Sequence, residues 1–224
     1  MRHRRRPVNY PQVVDRAYTA FVGRTSDAEQ RLLDAATDLM GRRGYGAAGV
    51  AEICRSADVQ KGSFYHYFDS KQALTVALIT AHWEEQRADW RRLLLGAGPV
   101  LVRLERLMQA QVEAQRDGQA RRGRVYGCLL GNLAIELSNQ DEAVTAHLAR
   151  VFDEQVALVL ATLVEAAAEG AVAADVAVEQ TARAVVAQLE GLVLFAKLAN
   201  DPSVLDGLWP QVRRLLGIDA GHGP

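Results

Sequence analysis

Residues 44–71 read GYGAAGVAEICRSADVQKGSFYHYFDSK, and their pattern decides the fold. A short apolar-periodic helix is expected from about Val50 to Ala57, with Val50, Ile53 and Ala57 inward. Asp58-Val59 makes a tight turn, and Gln60 to Tyr67 makes a second short helix. Two short helices joined this way suit a helix-turn-helix whose second helix enters the major groove. Phosphate contacts call for a cation or hydroxyl near a helix N-terminus, and base edges for donors flanked by apolar surface. Lys61, Ser63, Tyr65, His66 and Tyr67 supply both and are the candidate DNA-binding residues. Phe64 and Phe68 lie four apart, on one helical face, and are expected to pack inward.

Upstream, Gly44 stops a helix that opens on the capping box Ser26-Asp27-Ala28-Glu29. Leu32, Ala36, Leu39, Met40 and Arg43 fall at helical spacing along it. Residues 1–25 show no sustained period and hold five arginines by Arg16. They read as a basic arm, either reaching a minor groove or phosphates through Arg2, Arg4, Arg5 and Arg6 or staying disordered. Downstream, Asp69-Ser70 caps a long helix from Lys71 to about Leu95. After Gly96-Ala97-Gly98-Pro99, apolar-periodic stretches lie near 100–116, 125–138, 141–169, 176–199 and 202–216. No strand-like alternation and no internal repeat is present, so the fold class is all-α with about nine helices. The expected organisation is an arm over 1–25, a three-helix DNA-binding head over 26–72, and a larger ligand-sensing and dimerisation domain over 73–224.

Composition narrows the partners. The 224 residues are 49% hydrophobic and 24% charged, enough for a sizeable core. The longest nearly apolar run, Val156 to Val164, is too short to cross a bilayer, so no membrane partner is expected. The basic start Met1–Arg6 has no apolar region behind it, which argues against secretion. Two cysteines, Cys54 and Cys128, are too few for a disulfide framework, and a cytoplasmic setting fits. The net charge of −1 hides an asymmetry, because residues 1–72 hold 12 Lys and Arg against 8 Asp and Glu. A basic head on an acidic body suits a chain that meets phosphate with one end. With 23 arginines and 3 lysines, Lys61, Lys71 and Lys197 stand out.

Enzyme signatures are missing: no nucleophile elbow, no His-Glu-x-x-His, no P-loop. His82 and His147 have no metal-ligand partners at useful spacing, and neither metal nor cofactor is expected. Gly44-Tyr45-Gly46-Ala47-Ala48-Gly49 is a literal GxGxxG, but a helix precedes it where a nucleotide site requires a strand.

Gly-Tyr after the first helix, an apolar-Ile pair, then Val59-x-Lys61-Gly62-Ser63-Phe64-Tyr65-His66-Tyr67-Phe68-x-x-Lys71 resembles the DNA-binding head of the TetR family, over about residues 28–75. The resemblance implies an inducible repressor on a pseudo-palindromic operator. It implies contacts from Lys61, Ser63, Tyr65, His66 and Tyr67, and a phosphate at Lys71. Ala48-Gly49 and Gln60 depart from the family pattern and remove a hydroxyl cap. The resemblance also implies a homodimer through the helices near 148–167 and 178–199. Leu148, Phe152, Val159, Leu160 and Leu163 would form one apolar surface, and Val185, Leu189, Leu192, Val193 and Ala196 the other. Two recognition helices would then stand roughly 34 Å apart on double-stranded operator DNA.

Residues 127–138, GCLLGNLAIELS, resemble a branch that includes the N-ethylmaleimide-responsive repressor. That likeness implies a reactive thiol at Cys128 and a lysine partner at Lys197, whose ammonium would lower the thiol pKa or whose amine would trap a sulfenic acid. A buried, inert Cys128 is the other reading, and Cys54 is read as packing. Trp83 and Trp90, seven apart on one helical face, either line a pocket or pack in the core. Sensing of an electrophile or oxidant, non-covalent binding of a small-molecule inducer, and no sensed ligand all stay open here. So do an architectural DNA binder and a small-molecule-processing enzyme.

Overall fold

A computed structural model describes residues 27–218. Nine α-helices and one 3-10 turn occur among them, and no strand. The head comprises α1 (Asp27–Arg43), α2 (Val50–Ser56) and α3 (Lys61–Tyr67). Behind it come α4 (Lys71–Leu94), α5 (Val100–Arg122), α6 (Leu129–Leu137), α7 (Glu142–Ala168) and α8 (Glu179–Ala199). A 3-10 turn over Pro202–Gly207 leads into α9 (Leu208–Leu215). The expected arm over 1–25 and the Ser26 cap lie outside the described residues.

The boundaries have local causes. Gly44 ends α1 at φ +83°, and Gly123 ends α5 at φ +73°, the left-handed conformation that stops a helix. Ser70 caps α4 by accepting from the Ala73 amide at 3.0 Å, and Asp141 caps α7 by accepting from Val144 at 3.0 Å. Gly49 and Gln60, where the family-like hydroxyl is absent, begin α2 and α3 with no side-chain cap. The turn between α2 and α3 passes through Asp58 at φ +52°, which a short polar side chain tolerates.

The head packs α1 against α2 and α3, and α1 continues onto α4 and α6. α4 then joins α5 and α7, and α7 lies along α8. One hydrophobic core runs from Leu32 and Phe64 in the head through Leu78, Leu104, Leu130, Leu163 and Val185 to Leu216. No helix among the described residues is long and apolar enough to cross a membrane.

Three expectations change. The stretch 125–138 is helical only from Leu129, because the chain turns at Gly127 with φ +79°. The stretch 100–116 continues to Arg122, and 202–216 divides into the 3-10 turn and α9. The apolar residues assigned to a dimer face mostly serve the subunit's own core: Leu148, Val159, Leu163, Val185, Leu189, Val193 and Ala196 are buried. Phe152, Leu160 and Leu192 pack partly against the same core. Periodicity located two amphipathic helices but could not say which stripe faced inward. On these two helices the large apolar side chains left exposed are Val164 on α7 and Leu194, Phe195 and Leu198 on α8, the last two 59% and 81% exposed.

Candidate DNA-reading helix and effector cavities

α3 is amphipathic over only seven residues. Phe64 is fully buried and Phe68 nearly so, with ring centroids 5.8 Å apart, and these two fix the helix on the head. That anchoring turns Lys61, Ser63, Tyr65 and His66 to solvent, while Tyr67 is half-buried with its ring edge-on to His66. Tyr65 is 52% exposed, and its ring meets Phe64 at 83°. Large polar side chains thus project from a rigid, phenylalanine-anchored helix, the arrangement a groove-reading element requires.

Lys71 is placed differently. Its Nζ donates to the Tyr45 carbonyl at 2.7 Å and lies 3.8 Å from the centroid of the Tyr45 ring. Burial lowers its pKa, partly offset by the charge of Glu136. The side chain therefore braces the turn between α1 and α2, a role its sequence position did not suggest.

Two cavities meet at the start of α6. The first, about 410 Å³, is a groove open to solvent between α6, α7 and α8, lined by Cys128, Ile135, Phe152, Glu190, Leu194 and Lys197 among others. The second, about 350 Å³, lies between the head and the body, where Asp34 and Asp38 of α1 face Trp90, Gln115, Cys128 and Gln155. Cys128, Asn132 and Glu190 belong to both. Trp90 Nε1 and Gln155 Oε1 are buried with no hydrogen-bond partner, and both residues line the second cavity. Trp83 does not line either one: its Nε1 donates to Glu154 at 2.8 Å, and its ring packs edge-on against Trp90 at 5.9 Å.

Cys128 and Lys197, 69 positions apart in sequence, do line one cavity. Lys197 Nζ donates to Asn132 Oδ1 at 2.7 Å, and its side chain packs over Gly127, where an added Cβ would lie 3.1 Å from Lys197 Cδ. Cys128 is the N-cap of α6, with Sγ accepting from the Gly131 amide at 3.4 Å. The thiol's strongest polar neighbour is Glu190, not Lys197. Burial, then the Glu190 carboxylate, pushes the thiol pKa far above its usual range. The expectation of a lysine-lowered pKa is corrected on that ground. Glu190 is itself raised by burial, which its bond with Cys128 partly offsets. Sequence reasoning missed Glu190, Asn132 and Gln155; a lone acid in the apolar run Val185–Ala196 was the available signal. Cys54 is buried in the head, as expected. No group of three or more potential metal ligands occurs among the described residues.

Comparison with known proteins agrees with this anatomy. Residues 32–78 match the family model of bacterial regulatory proteins, tetR family, and residues 101–212 match that of the tetracyclin repressor-like C-terminal domain. The chain is 30% identical over 178 residues to the HTH-type transcriptional repressor DhaR of Mycobacterium sp. strain GP1, covering 79% of this chain and 86% of that one. It is 34% identical over 201 residues to the transcriptional regulator AcuR of Cereibacter sphaeroides, covering 89% and 90%. The crystal structure of the reduced form of Escherichia coli NemR is similar with a TM-score of 0.73 at 26% identity, covering 87% of this chain and 99% of that one.

Proposed function

This chain belongs to the tetR family of bacterial regulatory proteins, and on that premise we propose that it is a cytoplasmic, dimeric repressor released from its operator by a small molecule or electrophile. The observation that carries the reading is the exposed face of α3, where Lys61, Ser63, Tyr65 and His66 stand outward while Phe64 and Phe68 hold the helix down. The dimer would form across the exposed α7–α8 face around Val164, Leu194, Phe195 and Leu198.

The inducer would occupy the cavities that meet at Cys128. Two unpartnered buried groups, the Trp90 N–H and the Gln155 amide oxygen, favour a molecule that can accept from one and donate to the other. An electrophile with an activated C=C bond would instead add to Cys128: the thiol proton passes to the Glu190 carboxylate as the S–C bond forms and the C=C π bond opens to an enolate, which then takes that proton at carbon. Either event is coupled to DNA affinity only if the occupied and empty states differ in how they hold the head.

The test is fluorescence anisotropy on a duplex from the chain's own upstream region, with and without N-ethylmaleimide, in the parent chain, Tyr65→Ala and Cys128→Ser. Tight binding is expected of the parent chain, and at least tenfold weaker binding of Tyr65→Ala at unchanged melting temperature. Loss of binding on alkylation in the parent but not in Cys128→Ser would assign the electrophile route. Equal affinity of Tyr65→Ala and the parent chain would overturn the role given to α3.

A further inference from the structure

The glycine turn Gly44-Tyr45-Gly46 does bind an anion, supplied by the chain itself. The Tyr45 and Gly46 amides donate to Glu136 Oε2 at 2.7 Å and Oε1 at 2.6 Å. Both carboxylate oxygens are engaged by successive backbone N–H groups, the concave anion-binding arrangement known as a nest. Gly44 serves it twice: its φ of +83° turns the chain, and a Cβ there would lie 2.8 Å from Glu136 Oε2. Lys71, from the first turn of α4, closes the turn on its other side through the Tyr45 carbonyl.

The position of Glu136 gives this contact weight. It sits in the last turn of α6, where the negative end of the helix dipole disfavours a carboxylate. The two charge-assisted amide bonds offset that cost. The same helix begins at Cys128, shared by both cavities, and its first turn lies against α8: a Cβ on Gly131 would come within 2.6 Å of Glu190 Oε2. α6 has nine residues, roughly 13 Å from end to end. One face of this short helix therefore lines the effector cavities from Cys128 to Ile135, and its last turn holds the turn between α1 and α2 of the head.

We propose that Glu136 is the positioning residue that couples the cavities around Cys128 to the DNA-reading head, by fixing α6 to the Tyr45-Gly46 turn. This rests on the regulator reading above. Displacement of the α6 N-terminus by anything filling the cavity would pull on that turn, and with it on α2 and α3. A second tie runs in parallel, from Gln72 Nε2 at the start of α4 to Asp141 at 2.8 Å, but Asp141 lies beyond the end of α6. Glu136 makes the hydrogen-bonded tie on the helix itself, beside the packing of α1 on α6.

The test uses the full chain and needs no inducer, because Gly131→Leu places a side chain in the cavity where Glu190 Oε2 now lies. Operator affinity is measured with and without Gly131→Leu in three backgrounds: the parent, Glu136→Ala and Glu136→Gln. Gly131→Leu should weaken operator binding tenfold or more in the parent and less than twofold with Glu136→Ala. Glu136→Gln removes the same charge but keeps one of the two acceptor oxygens, and should retain an intermediate part of the tenfold effect. Hydrogen exchange gives an independent readout: the Tyr45 and Gly46 amides should both exchange at least tenfold faster in Glu136→Ala, whereas in Glu136→Gln, with one acceptor oxygen, only one of them should.

Four outcomes would overturn the proposal: no effect of Gly131→Leu on a well-folded parent, an undiminished effect with Glu136→Ala, identical behaviour of the Ala and Gln variants, or unchanged amide exchange. A parent chain that bound no DNA under any selection would instead sink the regulator reading, while the exchange measurement would still decide whether Glu136 holds the turn.

Discussion

Replacing Lys71 by Met separates two roles for one side chain. Methionine keeps most of the aliphatic stem and its packing but removes the ammonium. Two interactions are lost, the 2.7 Å bond to the Tyr45 carbonyl and the stacking over the Tyr45 ring at 3.8 Å. A hydrogen bond from a charged group is worth about 1.5–3 kcal/mol, and a cation–π contact at a partly exposed site about 0.5–1 kcal/mol. Lys71 is only half-buried and water recovers part of the loss, so the expected cost is about 2 kcal/mol. For a chain of this length that corresponds to a fall in melting temperature of about 4–8 °C, read by calorimetry at fixed protein concentration. The same variant is then titrated against operator DNA over a range of salt. A phosphate contact would reduce the slope of log K against log[salt] by about 0.9 per lysine. The bracing role predicts the lower melting temperature with an unchanged slope. An unchanged melting temperature with the slope reduced by about 0.9 per lysine would refute it and restore the phosphate assignment.

Other consequences follow from the same structure. Phe195→Glu combined with Leu198→Glu puts charge on the exposed α8 face without touching the core, so sedimentation should report a folded monomer with operator binding at least a hundredfold weaker; a persistent dimer would move the interface elsewhere. His147 accepts from Arg150 at Nδ1 (2.6 Å), so its Nε2–H donates to Thr80 Oγ1 (2.9 Å), which requires the neutral ring. Burial and Arg150 hold its pKa below the ordinary 6.5, so the unfolded chain binds the proton first. Stability should be full above about pH 7 and decline as pH falls through 6.5, with a flatter profile for His147→Asn; parallel profiles in urea unfolding would contradict this. The Cys128 thiol, raised by burial and Glu190, should be alkylated by iodoacetamide at a rate still climbing at about pH 9, and several times faster in Glu190→Gln. A plateau near neutral pH, mapped to Cys128 by mass spectrometry, would show a thiolate that the geometry does not support.

The head was legible because its signals are local. Phe64 and Phe68 at i, i+4, the left-handed stop at Gly44 and the Ser70 cap each act within one helical turn, and each lies where the pattern placed it. The body was legible as helices but not as surfaces. α7 and α8 are apolar on more than one side, so no period could tell the core stripe of Val159 and Leu163 from the exposed stripe of Phe195 and Leu198. The polar neighbours around Cys128 were hidden for a different reason. Cys128, Glu190 and Lys197 meet only because side chains of α8 reach the start of α6, and long-range packing decides whether an acid or an ammonium sits nearest a thiol. Glu136 carried a weak local signal, an acid at the wrong end of a helix dipole, but its partners lie 90 and 91 residues away.

A dimer that reads DNA with α3 is tested most directly by selecting bound sequences from a random duplex library with the full chain. The selected sequences should share an inverted repeat with half-site centres about 10 bp, or one helical turn, apart. That enrichment should disappear when Tyr65 is replaced by Ala. Recovery of unrelated sequences, or of a single half-site with no symmetric partner, would contradict a dimeric α3 reader.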